Sequence, residues 1–126
     1  MFALRFVAAA ALPLYILSPA GAQPAAAQLT VTVWSFGFAP HPLHLRAGQP
    51  VTLTFVNRSG SSHDFSARGF FANSRILNGS AEDGEIDLPG RAVRSVTVVP
   101  RAGSYSAHCS HFMHKQMGMQ DSILVD

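Results

Sequence analysis

The chain has a single cysteine, Cys109, among 126 residues, so it cannot close an internal disulfide, and a domain of this length must rest on its own apolar core. Charge is scarce as well. Asp, Glu, Lys and Arg together make up 13% of the residues, and nine basic against seven acidic groups leave a formal +2 spread over isolated arginines. Without a basic run or stripe there is no footprint for nucleic acid. No long apolar run is present either: Val7 to Leu17 is broken by Pro13 and is too short to cross a bilayer comfortably. Hydrophobic residues nevertheless reach 48%, which excludes a disordered tail.

The first segment reads as an address. Arg5 precedes the apolar run, and Ala20-Gly21-Ala22 is a small-x-small cleavage site, so residues 1–22 have the form of a signal peptide. No Arg-Arg pair marks the twin-arginine route, and no cysteine follows the cleavage site to take a lipid. The expectation is a periplasmic or otherwise exported protein beginning at Gln23, without stable membrane association. Removing Arg5 leaves eight basic against seven acidic residues, a nearly neutral chain. In an oxidising compartment a lone thiol needs an explanation, and metal ligation is one that also protects it.

Residues 23–28 are a Pro/Ala-rich flexible lead-in, and residues 29–126 form one domain in which the hydrophobic period is two. Leu29, Val31 and Val33 alternate with threonines, as do Val51, Leu53 and Phe55, and each set predicts a half-buried strand. His41 to Arg46 predicts a short strand between them. Asn57-Arg58-Ser59-Gly60-Ser61-Ser62 is a loop that delivers His63-Asp64-Phe65. Residues 66–90 show no clear period and are read as irregular, with one helical turn near Phe71 to Ile76. Val93 to Val99 predicts a strand, Tyr105, Ala107 and Cys109 share one face of the next, and Ser122 to Val125 predicts the last. About seven to eight short strands with Gly, Pro and Asn turns point to an all-β, antiparallel sandwich.

The chemistry is concentrated in residues 107–119, which hold the cysteine, three of the six histidines and three of the four methionines. Thiolate, imidazole and thioether are soft or borderline donors, and two His with one Cys and a weak axial Met are the set that holds copper for electron transfer. Cys109 ends one strand, Met119 opens the next, and His114 lies midway between them. The fourth donor must come from elsewhere, and His63, beside its loop, is the best placed. His111 competes with His114, but only His114 keeps four residues to both Cys109 and Met119. His108 alternates with Cys109 and so faces away from it. Met113 and Met117 are expected to pack as an apolar collar, and His41 and His44 to lie on the surface.

His63 followed by Cys109-x4-His114-x4-Met119 resembles the type 1 copper signature of the cupredoxin family. Ala47 to Asn57, the His63-Asp64-Phe65 triplet and the Gly103-x-Tyr105 approach to Cys109 add to the likeness, which covers nearly all of the expected mature chain. The resemblance implies a Greek-key β-sandwich with one copper ion per chain at one end. It implies His63, Cys109 and His114 in a trigonal plane and Met119 as the long axial ligand. It further implies a monomeric, non-enzymatic carrier that docks redox partner proteins transiently near His114. Two features depart from the best-known members. Plastocyanins and pseudoazurins separate cysteine and histidine by two residues where this chain has four, as azurins do, and Asp64 stands where many relatives have an Asn that steadies the thiolate. His108-Cys109 also resembles multicopper oxidases, but their coupled copper cluster needs a histidine where this chain has Ser110. A periplasmic copper storage, delivery or resistance protein is the alternative reading, because His111, Met113 and Met117 offer spare donors for Cu(I).

Overall fold

The computed structural model describes residues 13–16, 21, 25–111 and 118–126. Most of the proposed signal peptide, and the candidate donors Met113, His114 and Met117, lie outside the described residues. Among the described residues, ten strands form two five-stranded sheets. The first sheet has the order β2 (Gly37–Ala39), β1 (Ala27–Trp34), β4 (Val51–Asn57), β8 (Val93–Pro100) and β6 (Ser74–Asn78). The second has the order β3 (Leu43–Leu45), β10 (Gln120–Val125), β9 (Gly103–His108), β5 (His63–Ser66) and β7 (Glu85–Leu88).

The period-two pattern explains the sandwich. In β4 the residues Val51, Leu53, Phe55 and Asn57 are buried, while Thr52, Thr54 and Val56 face outward. The outward threonines pair across to β8, Thr52 with Thr97 at 2.8 Å and Thr54 with Ser95 at 3.0 Å. From the other sheet Leu43, Phe65, Leu88, Ala107 and Ile123 meet Val31, Val33, Leu53, Phe55, Val96 and Val98 in one core. Phe65 sits at its centre, 5.3 Å edge-on from Phe38 and 4.8 Å from Phe55.

The all-β sandwich is as expected, with two differences in detail. Two ladders are parallel, β1 with β4 and β3 with β10, because the chain changes sheets between β2 and β3. Pro40 and Pro42 lie in that crossing, where they lack the N–H needed to continue a ladder. Residues 66–90 are more regular than their sequence suggests: α1 (Arg68–Ala72), β6, a 3-10 turn (Glu82–Gly84) and β7 fill most of them. The helical turn falls a few residues earlier than expected, and Phe70 and Phe71 bury its inner face, Phe70 lying edge-on 5.7 Å from Tyr105.

Candidate metal centre

Three of the four expected donors converge at one end of the sandwich. Cys109 follows β9 and Met119 precedes β10, and the Cys109 N–H donates to the Met119 carbonyl at 2.9 Å, so the strand register itself brings the two side chains to one level. Gly118 makes this possible: at φ 99° it turns the chain into Met119 in a conformation that side chains resist. His63 opens β5, whose antiparallel pairing to β9 through Ser66 and His108 sets His63 across from the cysteine loop. All three side chains are buried.

The loop before His63 is held from inside. Asn57 is buried, and its amide donates to the carbonyls of Ser61, Leu88 and Pro89 at 2.8, 3.0 and 3.1 Å. Its side-chain oxygen accepts from the Ser59 N–H and hydroxyl at 3.0 and 2.9 Å. One side chain therefore ties β4, the loop and the end of β7 together, and His63 pairs with Leu88 in that same ladder.

The Cys109 Sγ lies 3.9 Å from His63 Nδ1. With metal–sulfur and metal–nitrogen bonds of about 2.3 and 2.0 Å meeting near 120°, two ligands of one ion sit about 3.7 Å apart, so the observed spacing fits a shared ion. Burial pushes the Cys109 thiol pKa up; the backbone N–H groups of Asp64 and His111 pull it down, and the Asp64 and Glu85 carboxylates raise it further. The thiol is thus kept protonated near neutral pH, and a metal ion that takes this sulfur must displace the proton.

Asp64 is the partner that sequence reasoning left unplaced. Its carboxylate accepts the Ser110 N–H at 2.8 Å and the Ser110 hydroxyl, and one oxygen lies 3.5 Å from His111 Nε2. It fastens the residue after the cysteine to the residue after the histidine, the position from which an Asn would act in many relatives. Asp64, Cys109 and His111 form a compact group whose donor atoms all lie within 4.8 Å of one another. His111 is therefore beside the site, its ring 6.4 Å from that of His63. His108 faces the other way, into a polar groove with Ser66, Arg68 and Tyr105. His41 is on the surface as expected, yet its Nδ1 reaches buried Asp121 at 2.6 Å. Burial raises the Asp121 pKa, and the Ser122 N–H and His41 oppose that shift.

This geometry defines a class: a small β-sandwich domain with cysteine, histidine and methionine gathered under one end. The chain belongs to the cupredoxin-like domain family, whose model matches residues 6–125. Among curated proteins it is 31% identical to the multicopper oxidase MmcO of Mycobacterium tuberculosis over 93 residues, which are 68% of this chain and 18% of that one. Auracyanin from Roseiflexus castenholzii shares its fold at a TM-score of 0.60 with 14% identity, over 81% of this chain and 98% of the other. Auracyanin A from Chloroflexus aurantiacus, described as a "blue" copper protein, gives 0.55 with 22% identity, over 79% and 99%. Auracyanin B gives 0.58 with 20% identity, over 80% and 89%.

The Asp64 carboxylate has a measurable consequence. A negative charge within 4.8 Å of the cysteine sulfur favours the more positive oxidation state of a bound ion. Asp64→Asn keeps the shape and an acceptor for the Ser110 N–H while removing the charge. Voltammetry of the copper-loaded variant should show the potential raised by the equivalent of about 1–3 kcal/mol, roughly 40–130 mV for one electron. An unchanged potential would mean that the charge is not felt at the metal.

Proposed function

We propose that the protein is an exported electron carrier that holds one copper ion in a type 1 site formed by His63, Cys109, His114 and Met119. The observation that carries this reading is the buried Cys109–His63 pair at 3.9 Å with Met119 beside it on the same ladder. Copper in such a ligand set supplies a one-electron Cu(I)/Cu(II) couple. The chain's own part is rigidity. His63, Cys109 and Met119 are packed into the end of the core, and Asn57 and Asp64 fix the two segments that bring them together, so the donors keep their places in both oxidation states. His114, four residues in sequence from both Cys109 and Met119, is the exit assigned to the electron.

A second reading, copper storage or delivery, has its own support in His111 beside the site and in Met113 and Met117 nearby in sequence. The oxidase relative is not taken as a sign of catalysis here, because Ser110 stands where a coupled copper cluster needs histidine.

Copper stoichiometry with and without the spare sulfurs separates carrier from delivery protein. Met113→Leu/Met117→Leu keeps apolar volume and removes both thioethers. A carrier binds one copper per chain, retains it through reduction, and exchanges electrons at close to the wild-type rate in the double variant. A second Cu(I) bound by the wild type and lost in the double variant would establish delivery instead.

A further inference from the structure

The end of the sandwich above Cys109 is polarised in charge, although the domain as a whole is nearly neutral. Among the described residues the connections that meet there, 34–37, 58–62, 89–92, 109–111 and 118–119, contain Arg58 and Arg91 and no Asp or Glu, and the carboxylate beneath them, Asp64, is buried. Of the exposed carboxylates of the described domain, Asp87 is on β7 opposite Asp64, while Glu82 and Asp83 lie in the 3-10 turn and Asp126 after β10. Arg58 and Arg91 are both exposed and are fixed side by side. The Arg58 N–H donates to the Val33 carbonyl at 2.8 Å, the Arg91 N–H to Ser59 at 3.0 Å, and the Arg91 guanidinium to the Arg58 carbonyl. Arg91 sits at φ 64°, a left-handed conformation that glycine or asparagine would adopt more easily.

Next to this pair the β1–β2 turn presents two aromatic side chains to solvent, Trp34 at 39% and Phe36 at 60% exposure. The Trp34 ring lies against Gly37, where a side chain would begin 3.2 Å from it. The Phe36 carbonyl approaches Gly118 to within 3.3 Å of where a side chain would start, so this turn abuts the residue before Met119. Aromatic and arginine side chains on one exposed, well-anchored end are the composition of an interface centre. Local charge of one sign also steers an oppositely charged partner even when the net charge is small.

We propose that this end docks a redox protein with an acidic face, with Trp34 and Phe36 as the apolar centre and Arg58 and Arg91 pairing with the partner's carboxylates. The proposal rests on the electron-carrier reading and names the chemistry of the partner. Transient electron-transfer contacts are small, under about 1,200 Å² in total, and two aromatics beside two arginines suit that size.

The test is electron transfer from the reduced, copper-loaded chain to two forms of one acceptor, cytochrome c with its native lysines and the same protein with those lysines succinylated. At low ionic strength the succinylated form should be reduced at least tenfold faster, and the gap should close in about 0.5 M salt, where screening acts within a few ångströms. Arg58→Glu/Arg91→Glu should reverse the order while leaving the visible copper band unchanged. Trp34→Ser/Phe36→Ser should slow both reactions and keep their salt dependence. Equal rates for the two acceptors, or a double-arginine variant that keeps the wild-type preference, overturns the proposal with the carrier reading intact. A wild-type chain without the copper band overturns both.

Discussion

Cys109→Ser is expected to abolish the intense visible absorption of the Cu(II)-loaded protein while leaving the fold in place. The band requires charge transfer from a thiolate, and Cys109 is the chain's only source of one. Serine has nearly the same shape, and the backbone hydrogen bond from residue 109 to Met119 needs no side chain, so the β9–β10 ladder is retained. Burying a hydroxyl in place of a thiol costs about 1–3 kcal/mol at most, which circular dichroism and thermal unfolding of the metal-free variant will read. A variant that keeps the band would place the chromophore on some other group.

Phe65→Ala should be the most damaging single change to stability. Phe65 is fully buried, touches Phe38 and Phe55, and stands two residues after His63 on β5. Truncation leaves a cavity and costs about 3–5 kcal/mol, a fall of more than about 12 °C in Tm for a domain of this size. Ile76→Ala on β6, where the side chain is 38% exposed, should cost less than about 1 kcal/mol. Comparable losses at the two positions would contradict the placement of the core. Because β5 carries His63, Phe65→Ala should also loosen copper binding, and Ile76→Ala should not.

Strands with one face in the core were legible because burial imposes alternation: Val51, Leu53 and Phe55 read directly as the buried face of β4, although Asn57, expected in the loop, closes the strand. β6 was not legible, since it is an edge strand with little buried on either face and an irregular register between Ile76 and Asn78. β2 was not legible either, because Gly37-Phe38-Ala39 is too short to show a period. Parallel pairing of β1 with β4 depends on where the chain changes sheets, which local pattern does not encode.

The site divides in the same way. Cys109 and Met119 could be placed from sequence because one connection joins their strands, and His63 because a polar loop ends at it. The work of Asp64 could not, since it follows from the β5–β9 register: pairing Ser66 with His108 sets Asp64 opposite Ser110. The contact of His41 with Asp121 joins residues 80 apart and has no local signal at all.

Titration of the metal-free mature chain with Cu(II), followed by visible absorption, tests the central claim most directly. The account predicts an intense charge-transfer band that grows linearly and stops at one copper per chain. Binding that yields only the faint colour of nitrogen and oxygen coordination would contradict it.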